Sequence, residues 1–144
     1  MQLAQVLIPD AEAWQTYARQ WLAELPARIW LIDGDLGAGK TTLVQAACRA
    51  LGVQGPVASP TFGLVHTYAS PQGPVHHLDL YRLRSADEAL EAGLAEYLEG
   101  PDHCFVEWAE RLPELWPAHY LHLHLTTTAG GQRLAQLDLN HAHA

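Results

Sequence analysis

The residues of this chain best suited to chemistry are eight in a row, Gly34-Asp-Leu-Gly-Ala-Gly-Lys-Thr41. Their spacing is that of a phosphate cradle, G-x-x-x-x-G-K-[ST]. Glycines let backbone N–H groups turn inward around phosphate oxygens, and the N-terminus of a following helix adds its positive dipole end. Asp35, Leu36, Gly37, Ala38 and Gly39 would form the cradle. Lys40 would reach the β- and γ-phosphates, the Thr41 hydroxyl would ligate Mg²⁺, and Thr42 would follow in the first helical turn.

The pattern requires a strand before it and a helix after it. Upstream, Arg28-Ile-Trp-Leu-Ile-Asp33 is a short apolar run, as expected of a strand covered on both faces of a parallel sheet. Downstream, Leu43, Ala46, Ala47, Ala50 and Leu51 recur at helical spacing, with Gly52 placed to stop the helix.

A nucleotide hydrolase also needs oxygen ligands for Mg²⁺ and a group that orients the attacking water. Two acids fall at the ends of predicted strands, where a parallel α/β sheet places its site. Glu107 closes the run Cys104-Phe-Val106, and Asp79 lies within His77-Leu-Asp-Leu-Tyr-Arg82. Either can serve Mg²⁺ while the other positions water; Asp79 can instead pair with Arg82 or Arg84. Thr61, in the proline-stiffened Ser59-Pro-Thr-Phe62, is a candidate switch residue at the γ-phosphate or a residue of an ordinary turn. Trp108 can pack beside a nucleotide or fill core.

The remaining elements are read from the same signals. Leu3 to Ile8 predicts a strand. Asp10 can cap a helix whose stripe is Trp14, Tyr17, Trp21 and Leu25, and Pro26 ends it. Gly63 to Ala69 and Val75 to Tyr81 predict an antiparallel pair joined by a short turn. A helix carrying Ala86, Leu90 and Leu94 starts near Ser85, with Gly93 as a dividing point. Tyr120 to Thr127 and Gln132 to Asn140 alternate as a hairpin around Ala129-Gly-Gly131. His122 and His124 share one face of that hairpin near His119, and His141 and His143 lie in the tail. With no Cys or acid completing a zinc pattern, the expectation is solvated surface histidines.

Composition bounds the rest. The chain has 144 residues, 49% of them hydrophobic and 17% charged, which fits one domain with a real core. The net charge of −8, with 8 basic residues and no run of them, argues against direct electrostatic binding of nucleic acid. No apolar run reaches membrane-spanning length, and Met1 to Val6 lacks a basic signal-peptide start. Cys48 and Cys104 are read as buried thiols, so the expected compartment is the cytoplasm.

Taken together, these segments resemble the TsaE (YjeE) family of small bacterial ATPases over nearly the whole chain. The matching pieces are Gly34 to Thr42, Ser59-Pro-Thr-Phe62, His77-Leu-Asp-Leu-Tyr-Arg-Leu83, Glu88 to Leu98, Glu107-Trp-Ala-Glu110 and a late Arg133. The resemblance implies an ATPase needed to make threonylcarbamoyladenosine on tRNA, working with the TsaD–TsaB pair and meeting tRNA only through that complex. It assigns nucleotide or Mg²⁺ binding and hydrolysis to Lys40, Thr41, Thr42, Asp79, Glu107 and Trp108, and a switch-like role to the loop of Thr61. The expected fold is a single P-loop α/β domain over residues 1–140, a mixed parallel and antiparallel sheet flanked by helices, with a His-rich tail at 141–144. A small-molecule kinase, a GTPase and a nucleotide-gated assembly subunit are the competing readings. No arginine stands out for the γ-phosphate, so slow turnover alone and stimulation by partners are expected.

Overall fold

The computed structural model describes residues 2–35, 37–58 and 64–140, with only the backbone at 2 and 3. Seven strands form one sheet in the order β1-β7-β6-β2-β5-β4-β3: β1 (Gln2–Ile8), β2 (Ile29–Gly34), β3 (Val65–Tyr68), β4 (Val75–Asp79), β5 (His103–Glu107), β6 (Tyr120–Thr127) and β7 (Arg133–Asn140). The four central strands β6, β2, β5 and β4 run parallel, while β3 and β7 add on antiparallel and β1 pairs antiparallel with β7. This is the mixed sheet that the sequence predicts.

β2 is buried along its whole length, which explains why its sequence reads as an unbroken apolar run. Its side chains divide by the two-residue period. Trp30 and Ile32 pack with Phe105, Leu121 and Leu123 on one face, beneath helices α1 (Ala11–Glu24) and α2 (Lys40–Ala50). Ile29 and Leu31 join Leu78 and Val106 on the other, beneath α3 (Ala86–Glu91), α4 (Leu94–Glu99) and two short 3₁₀ turns at Ala109–Arg111 and Pro113–Leu115.

The local signals act as expected. Asp10 caps α1 by accepting from the Ala13 N–H at 2.8 Å, and Trp14 and Trp21 are buried on its inner stripe. Gly52, at φ +92°, follows α2 and donates to the Arg49 carbonyl. Cys48 and Cys104 are fully buried, and burial pushes both thiols up to about 12. One expectation fails: Leu90 is 54% exposed. Gly93, in the left-handed region at φ +79°, breaks the helix there, so α3 turns Ala89 inward in place of Leu90.

The C-terminal ends of β2, β4, β5 and β6 meet at one edge of the sheet, and β1 ends there too, since it runs in their direction. The closest fit at that edge is where Gly34 leaves β2. A Cβ built on Gly34 would stand 2.4 Å from the Leu125 carbonyl oxygen of β6, and its φ of +145° disfavours any side chain. Gly34→Ala therefore costs about 1–3 kcal/mol of stability. Urea unfolding checks this, and an unchanged midpoint would show that the strand junction has slack.

Candidate functional site

The loop after β2 is held by its own lysine. Lys40 Nζ donates to the Gly34 carbonyl at 2.5 Å and to the Asp35 carbonyl at 2.9 Å, while the Trp108 ring lies 4.0 Å from it. The residue is only 5% exposed. Burial lowers the pKa of its ammonium, and the charges of Glu107, Glu110, Asp35 and Asp79 oppose that shift. Gly39, at φ +103°, starts α2 without a side-chain cap, so the helix N-terminus meets the cavity with its own N–H groups. A Cβ at Gly39 would touch the Trp14 indole at 3.1 Å, which shows how closely α1 packs on the loop.

Glu107 ends β5 and is 2% exposed. The Thr41 hydroxyl of α2 donates to its carboxylate, 3.1 Å from Oε1 and 3.3 Å from Oε2. His77 Nε2 lies 2.5 Å from Oε2 on the other side. In the next strand Asp79 is the register partner of Glu107, and its Oδ1 accepts the Tyr81 N–H at 2.9 Å. Trp108 follows with φ +58°, alone among the described non-glycine residues in having a positive φ, and this turns its indole over Lys40 and within 4.8 Å of Tyr81.

These groups share a cavity of about 700 Å³, of the size that drug-like ligands and cofactors occupy. Gly37, Gly39, Lys40, Thr41, Thr42, Asp79, Glu107 and Trp108 line it. Two of the loop's expected contributors do not: Asp35 meets Lys40 through its carbonyl and its charge without lining the cavity, and the Ala38 side chain is packed inside. Leu36 and Thr61 lie outside the described residues.

The far wall is one that sequence reasoning missed. Ile8 to Ala11 and Trp14 come from the end of β1 and the start of α1, and Gly131 to Arg133 from the β6–β7 turn. Trp14 belongs to a helical stripe that reads from sequence as core or as a partner surface, not as a cavity wall. Arg82 and Arg133 both line the cavity, so the chain supplies two arginines that sequence reasoning did not bring to it. Arg111 is committed elsewhere, donating to the Leu83 carbonyl at 3.2 Å.

The expectation of solvated surface histidines is incomplete at His122 and His124, and His141 and His143 lie outside the described residues. His77 is fully buried, and His76 is 8% exposed. His122 and His124 are not simply solvated: His122 Nε2 donates to Asp33 Oδ2 at 2.6 Å, and His124 Nδ1 bonds Asp33 Oδ1. Asp33 immediately precedes the loop and is 6% exposed. From the other side Glu110 accepts the Gly34 N–H at 3.3 Å. Burial pushes the Glu110 carboxyl up from its ordinary range. Two carboxylates thus fasten the root of the loop. The only signal for the first was a lone acid at the end of an apolar strand beside a strand with two histidines on one face.

Against known proteins, the model of the family described as threonylcarbamoyl adenosine biosynthesis protein TsaE matches residues 8–135. The chain belongs to the TsaE family. A TsaE protein of Synechocystis is 44% identical over 114 residues, covering 75% of this chain and 71% of that one. A TsaE of Rickettsia bellii is 34% identical over 136 residues, 93% of this chain and 94% of its own. The crystal structure of Bacillus subtilis YdiB superposes with a TM-score of 0.78 at 27% identity, covering 99% of this chain and 88% of that one. Of the motif residues of the TsaE resemblance, Gly37, Gly39 to Thr42, Asp79, Tyr81, Arg82, Glu107, Trp108 and Arg133 border this cavity and Glu110 holds its loop, while the stretch from Glu88 to Leu98 packs under the opposite face of the sheet.

Asp33 yields a pH-dependent test. Burial alone would raise its pKa, but the hydrogen bonds and charges of His122 and His124 outweigh burial and hold it below the ordinary value of 3.8. An acid depressed on folding adds stability above its unfolded pKa and loses that contribution as pH falls through its folded pKa. Asp33→Asn should therefore cost about 1–3 kcal/mol at neutral pH. The gap from wild type should close progressively below pH 3.8. Urea titrations across that range check it, and a gap independent of pH would remove the ionic contribution.

Proposed function

We propose that this chain binds Mg·ATP in the cavity and hydrolyses it, serving threonylcarbamoyladenosine formation on tRNA. The observation that carries this reading is the convergence of Lys40, Thr41, Asp79 and Glu107, from one loop–helix and two strand ends, on a single cavity. Family membership supplies the pathway, since the relatives are named tRNA threonylcarbamoyladenosine biosynthesis proteins.

The donor set fits magnesium. A hydroxyl and two carboxylates are hard oxygen ligands, and among the described residues no three His, Cys, Asp or Glu form a ready-made metal cage. Mg²⁺ is ordinarily held by one or two carboxylates together with substrate phosphates. Thr41 and Glu107 would hold it, with Asp79 beside them, and it would supply charge neutralisation at the phosphates. The contact between Thr41 and Glu107 supports reading Glu107 as the residue on the metal side and Asp79 as the one that orients water. Backbone N–H groups from Gly37 to Thr42 and the start of α2 cradle the phosphates. Lys40 exchanges two loop carbonyls for phosphate oxygens, Trp108 closes over that exchange, and Arg82 and Arg133 add positive charge from the walls.

The acidic surface fits a protein that meets tRNA only through the TsaD–TsaB pair, and turnover is slow until that pair engages. Lys40→Ala should weaken ATP binding at least tenfold, since hydrogen bonds to charged groups contribute roughly 1.5–3 kcal/mol each. Asp79→Asn should keep Mg·ATP binding and slow hydrolysis by ~10²–10⁴. Calorimetry and ADP release without any added acceptor, with and without TsaD–TsaB, check both. Normal turnover in the two variants, or equal wild-type rates with and without the pair, would contradict this scheme.

A further inference from the structure

His77 has no part in the scheme above, yet the fold encloses it completely. It lies on β4 with no exposed surface, and its Nε2 is 2.5 Å from Glu107 Oε2. Its other ring nitrogen, Nδ1, is buried without a hydrogen-bond partner among the described residues. A buried polar atom left unmet is a standing cost, and an apolar side chain at this position would remove it. With no hydrogen-bond partner for Nδ1 among the described residues, the ring proton belongs on Nε2, where it meets the carboxylate.

Sheet geometry explains why only this position can do so. β4 and β5 pair in parallel with His77 beside Phe105 and Asp79 beside Glu107. By the two-residue period His77 and Asp79 share the sheet face covered by α2. From one step behind Asp79, the imidazole reaches forward to the inner oxygen of Glu107. Thr41 Oγ1 approaches the same carboxylate from α2, nearest to Oε1. The carboxylate is thus held from two elements.

We infer that His77 is a positioning residue: its Nε2–H fixes the Glu107 carboxylate so that Oε1 and the Thr41 hydroxyl face the cation that accompanies the nucleotide. The inference rests on reading the cavity as a Mg·ATP site. Partners that orient a metal ligand from behind typically change metal affinity or activity by roughly 10–100-fold when replaced.

Binding of a non-hydrolysable ATP analogue, titrated with excess Mg²⁺ and again with EDTA, isolates the effect. The variants His77→Gln and His77→Asn both carry an amide, but only the longer one places its N–H near where Nε2 stands. His77→Asn should lose roughly 10–100-fold of the magnesium-dependent tightening, His77→Gln should retain most of it, and affinity in EDTA should be unchanged in both. Undiminished tightening in both variants would overturn the inference, as would equal losses with and without magnesium, which mark a merely structural role. The wild type gives an independent check: imidazole ¹⁵N shifts should place a proton on Nε2, and a ring protonated at Nδ1 alone would overturn the inference. Wild-type protein that binds the analogue no better with magnesium would instead defeat the reading of the cavity itself.

Discussion

A carboxylate and an ammonium, Glu107 and Lys40, are kept almost out of water at one edge of the sheet, 2% and 5% exposed. Buried charges are costly unless paired and hydrogen-bonded. Much of the local structure meets that requirement. Thr41 and His77 supply hydrogen bonds to Glu107, and the carbonyls of Gly34 and Asp35 accept from Lys40, whose open side is covered by the Trp108 ring. Burial weakens the lysine's hold on its proton while four nearby carboxylates strengthen it. The site is charged and assembled, with Lys40 met by backbone carbonyls and Glu107 by neighbouring side chains. In the reading proposed above, a phosphate replaces the carbonyls because it offers the ammonium a full negative charge.

Strand order makes this possible. Four parallel strands deliver their C-terminal ends to one edge, and the antiparallel additions β7 and β1 extend that edge into a second wall. The wall of Ile8 to Ala11 with Trp14 and the wall of Gly131 to Arg133 belong to segments far apart in sequence, yet each sits where a strand ends or turns at the same rim. The root of the loop is then fixed from both sides by Asp33 and Glu110. The glycine loop therefore starts from an anchored root.

Much of this was legible beforehand, for physical reasons. The glycine loop declares itself because its spacing of glycines, lysine and threonine follows an apolar run that reads as a doubly covered strand. Glu107 and Asp79 stood out as acids ending such runs. What stayed hidden depended on the order of strands, which periodicity does not encode. Asp33 could not be joined to His122 and His124 without knowing that β6 lies beside β2. Trp14 belongs to a helical stripe that reads as core, and it is both core and cavity wall. His77 was placed on the right face of β4, but its partner came from β5. Leu90 was misjudged because the break at Gly93 rotates which residue faces inward.

The account turns on the exchange at Lys40, and a crystal structure with Mg²⁺ and a non-hydrolysable ATP analogue tests that exchange most directly. The predicted result has Lys40 Nζ released from the carbonyls of Gly34 and Asp35 and bonded to phosphate oxygens, with the metal beside Thr41 and Glu107. An analogue bound elsewhere, or seated in the cavity while Lys40 stays on the loop carbonyls, would contradict it.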